Sequence, residues 1–504
     1  LPLELFNTLS GKVEPLYAAD GATLRFYCCG PTTYDYGHIG NFRTFLHVDV
    51  LRRAARLFGL GLQHVMNITD VDDKIIDKAM HAGQTIGQYS ARFEKAFFED
   101  MAALHIERPE TIAHATENIP EMAALIQRLA AAGAAYQTED GSWYFRIASF
   151  PGYGQLSKKD LEGIEDGARI DVADHAKESV RDFALWKASK PGEPAWDTAI
   201  GPGRPGWHLE CSAMALKYLG DSFDLHAGGE DLMFPHHENE IAQSEACTHV
   251  QFARHWFHVR FLLVEGKKMS KSEGNFFTLR DLLLKGYRAS AIRFLLLSVP
   301  YRQQLNFTFD GLAAATNAVD RLRTFHRRMT ICHDLLQSGF DDSATAFDPT
   351  LPAAIANADS QFRAALANDL NTAEAIGAIF DLVRAGNAAG DTGRLRPSVA
   401  GQILQVLDAF DSVFAIFEDR DAELTKAALA WAEHEGRLAE ASPEVLAHFG
   451  ANALSDADID GLIAERTLAK KQRNFARADA IRNELLGKGI VLEDSKDGVR
   501  WKRS

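Results

Sequence analysis

The sequence predicts an α/β protein built on a parallel sheet, followed by a second half that is nearly all helical. Three observations support this. A strand, helix, strand pattern runs from Leu24 to Thr69. Strand-like runs return at Phe223 to His226 and Phe257 to Phe261. From Asp310 onward the segments read as helices. At 504 residues the chain exceeds a single core, and about three or four domains are expected.

Leu24 to Cys29 is short, apolar and aromatic and stops at Gly30-Pro31, as a buried strand does. After a loop to Gly40, Asn41 is placed to cap a helix reaching about Phe58, with Phe42, Phe45, Leu46, Val50 and Leu57 at helical spacing. Gly59-Leu60-Gly61 ends it, and Leu62 to Thr69 reads as the next strand. Such a βαβ unit implies ligands at the carboxyl ends of parallel strands. Thr85 to Gln137 reads as mostly helical. Trp143-Tyr144-Phe145 and the Gly/Pro-rich run from Lys190 to Pro205 suggest an insertion. Ser338 to Pro349 separates two helices, and a further boundary lies near Asp419 to Glu423.

Bulk properties exclude several classes. Composition is 46% hydrophobic and 24% charged, ordinary for a globular enzyme. Apolar runs such as Phe294 to Leu297 are far too short to span a membrane. The first residues lack a basic region before an apolar one, so no signal peptide is expected. Five Cys is an odd count and too few for a disulfide scaffold, which points to the cytoplasm. Net charge is −15, yet Arg466, Lys470, Lys471, Arg473, Arg477, Arg482 and Lys488 make a locally basic segment. Segregated charge of this kind can still steer a polyanion.

Two distant stretches share a chemistry. His38-Ile39-Gly40-Asn41 opens the first helix, and Lys268-Met269-Ser270-Lys271-Ser272 lies in a polar loop between Gly266 and Gly274. Gly30, Gly37 and Gly40 permit close approach of a nucleotide. The helix start offers free N–H groups to phosphate, His38 can donate to phosphate oxygens, and Lys268 and Lys271 bring mobile positive charge. Singly, each stretch is an ordinary turn or loop. Together they resemble the paired ATP-binding signatures of class I aminoacyl-tRNA synthetases.

A third cluster joins Cys29, Cys211, His236 and Glu240. His236 and Glu240 are four apart and share a helix face, with Pro235 suited to the first helical position. Sulfur, nitrogen and carboxylate donors suit Zn²⁺. By spacing alone, His237 could replace His236 and Cys28 could replace Cys29. Adjacent strand residues face opposite ways, so Cys28 and Cys29 cannot both point at one site. The blocks Phe26 to Thr32, Asn67 to Lys74, Gly206 to Ser212 and Asp231 to Glu240 resemble the cysteinyl-tRNA synthetase family. The resemblance selects Cys29, Cys211, His236 and Glu240 as zinc ligands. Asn41 departs from the family, which often has a second His there, and so does the doubled Cys at 28 and 29.

The resemblance implies a Rossmann-type parallel-sheet catalytic domain over 1–308 with an insertion at about 105–205. A stem-contact and helical-bundle domain over 309–420 and an anticodon-binding domain over 421–504 would follow. It implies that Gly30, Thr32, His38, Gly40, Asn41, Lys268 and Lys271 bind ATP, with His38, Lys268 and Lys271 catalytic. Thr69, Trp207, His226 and Asp231 would complete the amino-acid pocket. Asn368 to Ala375 resembles the family's bundle helix, and the tail Val499 to Arg503 offers cations beside Trp501 for tRNA. The implied activity is activation of L-cysteine by ATP, with Mg²⁺, and transfer to tRNA(Cys) by a monomer. Size alone separates cysteine from serine by only roughly 1–3 kcal/mol, whereas zinc distinguishes a thiolate from a hydroxyl; the cysteine sulfur would need a fifth position or release of Glu240. A ligase joining cysteine to an amino sugar would share these motifs but lack the long helical second half. A non-catalytic tRNA-binding or zinc-binding paralogue would not need His38, Lys268 and Lys271.

Overall fold

The computed structural model describes residues 2–158, 177–179, 181–450, 456–472, 474–487, 490–495 and 498–503. Part of the expected insertion, 159–176, therefore lies outside the described residues, as do Arg473 and Lys488.

A hairpin opens the chain, β1 (Glu4–Asn7) against β2 (Lys12–Pro15). Then come β3 (Thr23–Cys28), α1 (Ile39–Leu57) and β4 (Gly61–Ile68). Helices α2 (Asp73–His81) and α3 (Ile86–Ala103) precede β5 (Thr111–His114) and α4 (Ile119–Ala131). A separate antiparallel sheet follows, built from β6 (Ala135–Gln137), β7 (Trp143–Phe145), β8 (Phe183–Ala188) and β9 (Gly203–Pro205). The chain returns through α5 (Trp207–Leu219), β10 (Phe223–Gly229), α6 (Glu238–Thr248) and β11 (Ala253–Val259). Next are β12 (Leu262–Val264), β13 (Lys267–Lys268), α7 (Leu279–Leu284), α8 (Ala289–Leu297) and β14 (Leu305–Phe307). Four long helices follow: α9 (Phe309–Asp334), α10 (Leu351–Ala367), α11 (Thr372–Asp391) and α12 (Pro397–Phe414). The remainder holds α13 (Asp421–His434), α14 (Pro443–Phe449), α15 (Asp456–Lys471), α16 (Phe475–Gly487) and the hairpin β15 (Ile490–Ser495) with β16 (Gly498–Arg503).

The central sheet has the order β11-β10-β3-β4-β5, and every pairing in it is parallel. Chain order therefore reverses between β3 and β10, the crevice where open α/β sheets bind ligands. Both faces of the sheet are covered, so its inner strands are buried without alternation: Phe26, Tyr27 and Cys28 are all buried. Ala227 pairs with Cys28, and Cys28 with Met66, so three strands end side by side. α1 is also fixed from outside the sheet. Arg293, fully buried on α8, donates to Asp49 Oδ2 of α1 at 2.7 Å and to Leu104 O at 2.7 Å. Removing one partner of such a buried pair costs about 3–5 kcal/mol.

Some expectations need correction. The N-cap of α1 is His38, not Asn41, which sits at the third helical position and completes a capping box. The segment read as helical from Thr85 contains β5, an edge strand of the central sheet. An insertion starting near 105 would include that strand, whereas the separate sheet begins at Ala135. Pro235 does not start a regular helix: it follows a cis bond inside a π-type turn, and α6 begins at Glu238. The tail Val499 to Arg503, given no element by the sequence, lies in a β-hairpin.

The chain divides into two compact units, 1–276 with 293–417 and 277–292 with 418–504. The four long helices thus cluster with the central sheet, and 277–292 joins the C-terminal residues. Within the first unit α10 packs on α11 and α12 on α9. The loop Asn368 to Asn371 ties these helices to the sheet region. Asp369 Oδ1 accepts from Phe6 N at 2.8 Å and from the Tyr301 hydroxyl, and Asp369 Oδ2 pairs with Arg302 at 2.7 Å. Within the second unit Ser290 donates to Asp421 through its N–H at 3.0 Å and its hydroxyl at 2.6 Å.

Candidate active site

The carboxyl ends of β3, β4 and β10 bring the predicted residues together. Gly30, just past β3, donates its N–H to Asn67 Oδ1 at 2.8 Å. A Cβ at Gly30 would lie inside the envelope of Asn67 O, so the crossing of these two strand ends admits only glycine. Thr32 bridges to Thr69 in parallel fashion, which carries the sheet pairing into the loops. Thr69 Oγ1 donates to Glu210 Oε2 at 2.9 Å and accepts from Asn67 Nδ2 at 3.1 Å.

Four donors converge behind this edge. Cys29 Sγ lies 3.8 Å from Cys211 Sγ and 3.7 Å from Glu240 Oε1, and His236 Nε2 lies 3.1 Å from Glu240 Oε1. Ligand atoms of Cys29, Cys211, His236 and Glu240 all fall within 4.8 Å of one another, and all four residues are buried. Burial pushes both thiols up, as expected for sulfurs that would lose their protons to a metal rather than to water. Two thiols, an imidazole and a carboxylate at these separations fit a zinc ion. A second set shares Cys29 and Glu240 but substitutes His226 and His237. Its His237 Nε2 is 3.4 Å from Cys29 Sγ, so the alternative left open by sequence spacing is also present in space. Cys28 belongs to neither set; it is buried and its thiol faces Cys29 O at 3.5 Å.

A further layer orients these donors. His226 Nε2 lies 2.9 Å from Glu240 Oε2, and His226 stacks on Trp256 with ring centroids 4.6 Å apart. His236 Nδ1 meets His208 Nδ1 at 2.9 Å, which leaves Nε2 for the cluster, and Trp207 stacks on the His236 ring at 4.3 Å. Glu238, fully buried between the two ligand positions, accepts from the N–H groups of Gly154, Leu156 and Ser157 at 2.9, 3.3 and 2.9 Å. Asp231 stands apart from the buried group: it is exposed, with its carboxylate folded over Gly229.

The two signature stretches also meet. His38 Nδ1 accepts from Asn41 N at 3.1 Å, and Asn41 Oδ1 accepts from His38 N at 3.1 Å. The His38 proton therefore sits on Nε2, pointing away from the helix. Burial lowers its pKa to about 4, so the ring is a neutral donor. A Cβ at Gly40 would press on the His38 ring and on Met269 Cε at 3.1 Å, so Gly40 lets the Lys268 to Ser272 loop approach. Phe276 lies edge-on to His38 at 5.0 Å, and Lys271 Nζ sits 5.1 Å over the Phe276 ring. Asn275 closes the loop on itself, accepting from Ser270 N at 2.8 Å and donating to Lys268 O at 3.1 Å.

Sequence reasoning did not single out Glu210, His208, Glu238 or Asp35. The first three lie inside the quoted blocks, but only the fold reveals which of their neighbours they serve. In the second unit Lys470, Lys471, Arg477 and Arg482 are exposed, as is Phe475, while Arg466 is buried. Trp501 is less open than its sequence suggests: it is half-buried and its indole N–H donates to Asp460 Oδ1 at 2.9 Å. No helix among the described residues is long and apolar enough to cross a membrane.

Residues 16–317 match the tRNA synthetases class I (C) catalytic domain, and residues 361–418 match the DALR domain. A cysteine–tRNA ligase of Koribacter versatilis is 56% identical over 503 residues, covering 100% of both chains. One from Solibacter usitatus is 50% identical over 503 residues, again covering 100% of both. Among solved structures, Mycobacterium tuberculosis methionyl-tRNA synthetase in complex with methionyl-adenylate superposes with a TM-score of 0.55 at 15% identity, covering 85% of this chain and 96% of that one. That likeness speaks for the fold alone. Shared sequence over the full length and the parallel sheet with its paired loops agree: the chain belongs to the cysteine–tRNA ligase family of class I aminoacyl-tRNA synthetases.

Proposed function

We propose that this enzyme activates L-cysteine with ATP and passes it to the 3′ end of tRNA(Cys), with zinc selecting the thiol. The observation that carries the zinc assignment is the buried group of Cys29, Cys211, His236 and Glu240 at the strand switch point. Of the two overlapping donor sets, the one with two sulfurs is the better zinc site, because thiolates favour zinc over harder ions. A zinc ion held there would bind a thiolate strongly and a neutral hydroxyl poorly, which separates cysteine from serine.

The chain's own residues then position and stabilise charge. Trp207 walls the pocket, Thr69 and His226 line it, and Asp231 pairs with the substrate ammonium. The cysteine carboxylate oxygen attacks the α-phosphorus of ATP; the bond to the bridging oxygen breaks, and pyrophosphate leaves with that electron pair. Gly30, Thr32, Gly40 and Asn41 border the nucleotide, and His38 Nε2–H donates to the phosphate oxygens as charge builds there. Lys268 and Lys271 neutralise the leaving pyrophosphate, and Mg²⁺ enters with ATP as part of that substrate. A terminal ribose hydroxyl of tRNA next attacks the cysteinyl carbonyl, and AMP departs. No protein nucleophile is needed, so catalysis is positioning and electrostatics.

Residues 309–420 are assigned as the stem-contact bundle and 421–504 as the anticodon-binding part, within a monomeric cytoplasmic enzyme. Exposed Lys470, Lys471, Arg477 and Arg482 supply phosphate contacts. The test is aminoacylation of total tRNA with labelled cysteine and, in parallel, serine, with and without a chelator. Charging of cysteine alone, lost on chelation and restored by zinc, is the expected result. Cysteine charging by metal-free protein that still refuses serine would overturn the zinc assignment.

A further inference from the structure

The nucleotide edge contains one ion pair that the reaction above does not use. Asp35 Oδ2 lies 2.8 Å from Lys271 Nζ, linking the loop before His38 to the Lys268 to Ser272 loop. The same oxygen lies 3.4 Å from Lys78 Nζ, which also donates to Tyr34 O at 3.2 Å. The two lysines differ in freedom. Lys78 is carried by α2 and held at the loop backbone, whereas the Lys271 side chain is 66% exposed on a loop. Lys74 Nζ sits 4.8 Å over the Tyr34 ring, so a third cation faces this corner. Asp35 is itself only half-buried.

This arrangement matters because Lys271 is the cation assigned to the departing pyrophosphate. A carboxylate bound to it occupies the place that phosphate needs. An exposed ammonium–carboxylate pair is weak, and a polyphosphate carries more charge, so an exchange of partners is favourable. Lys78 stays with Asp35 after the exchange, so the carboxylate is not left unpaired beside the incoming anion.

We propose that Asp35 is a positioning residue that holds Lys271 docked at the site until the polyphosphate of ATP takes the lysine from it. The inference rests on the reading of Lys271 as a phosphate-binding residue. It has consequences opposite to those of a purely structural aspartate. Asp35→Asn frees the lysine from its competitor, so KM for ATP falls by about twofold to fivefold, the modest effect expected of an exposed pair, while kcat changes little. A residue that merely supported the loop would raise KM and lower kcat when replaced.

The test uses the full-length protein and measures cysteine-dependent ATP–pyrophosphate exchange together with tryptic cleavage at Lys268 and Lys271. Without nucleotide, Asp35→Asn should be cut faster than wild type, and inorganic tripolyphosphate should protect both. Lys78→Met leaves Asp35 to Lys271 alone and should raise KM for ATP; adding Asp35→Asn should reverse that rise. An unchanged or higher KM in Asp35→Asn, or cleavage matching wild type, overturns the proposal. Absence of exchange in wild-type protein would instead overturn the functional reading itself, so the two failures are distinguishable.

Discussion

The buried donor group and the nucleotide edge are neighbours at one end of one sheet, yet they are built on opposite principles. Cys211, His236 and Glu240 are themselves buried, and His236 and Glu240 meet fixed partners in His208 and His226. At the nucleotide edge the pairs are half-open, and the cations are long side chains, Lys271 on a loop and Lys78 on α2. The first arrangement suits recognition of a group that barely differs in size from its competitor. The second suits a charge that must appear, be neutralised and leave. In the buried half a lost partner leaves an orphan that water cannot reach, whereas at the edge water and salt substitute readily. Substitutions should therefore cost far more, and be less sensitive to salt, on the buried side.

The largest effect is expected at a ligand. Cys211→Ser keeps the shape but replaces a soft thiolate donor with a hydroxyl. Metal affinity, read by competition with a chromogenic chelator, should fall by more than the roughly 10–100-fold typical of losing only an outer partner. Cysteine-dependent pyrophosphate exchange should fall with it. Retained metal would mean that the set with His226 and His237 takes over, and the contrast between the two sides would need redrawing. His38→Ala comes next. It removes one hydrogen-bond donor to the phosphates, and kcat for exchange should drop by about 10²–10³ with KM for cysteine unchanged.

How far the sequence anticipated this contrast depends on what carries the information. β3, β4, β10 and β11 were legible because each carries a short core of apolar and aromatic residues, such as Phe26-Tyr27 and Trp256-Phe257, and ends near a glycine or turn. β5 was not: Thr111 to His114 is four residues long, partly exposed, and lies between two helices. Cys29 and Glu240 were legible by resemblance, but spacing alone left His236 and His237 open. His236 meets Glu240 at the expected i, i+4 spacing, but the π-type turn before α6 also brings His237 to the cluster region. Glu210 and Glu238 are acidic residues within helices, which periodicity assigns to solvent; only the fold reveals that Thr69 and the Gly154 to Ser157 turn meet them. The capping role of His38 was hidden because histidine is not among the usual N-cap residues.

A smaller effect sets two buried histidines elsewhere in the fold against the nucleotide edge by pH. His47 and His64 are fully buried, and burial, followed by the charges of Arg43 and Arg52 respectively, holds both well below the ordinary histidine range. The unfolded chain takes up protons at these rings below about pH 6.5 and the folded chain does not. Their contribution is thus complete above that pH and is lost on acidification, by up to about 1.4 kcal/mol per pH unit for each ring. His38 is less confined and stays neutral to about 4, so the nucleotide edge should not limit activity in the same window. Thermal unfolding from pH 8 to 5 should therefore show falling stability below 6.5, while kcat of the folded enzyme stays level. A flat melting temperature together with an acid limb in kcat near 6 would mean that the nucleotide edge, and not these buried histidines, is acid-sensitive.

The smallest effect sharpens the comparison most, because one residue belongs to both helix and nucleotide. Asn41 Oδ1 accepts from His38 N, so its side chain supports the start of α1 while facing the region assigned to phosphate. Asn41→Ala deletes that acceptor and should cost about 0.5–1.5 kcal/mol of stability, with KM for ATP rising slightly as His38 loosens. Asn41→Asp keeps the acceptor and adds negative charge in the first turn of a helix, where the dipole favours it. Stability should hold or rise. The same charge repels the triphosphate, so KM for ATP should rise more than in the alanine variant, and added salt should narrow the gap by screening. If stability and ATP affinity instead moved together across both variants, Asn41 would act only through the helix. The open edge would then be governed by packing, as the buried side is, and the distinction between the two would fail at this position.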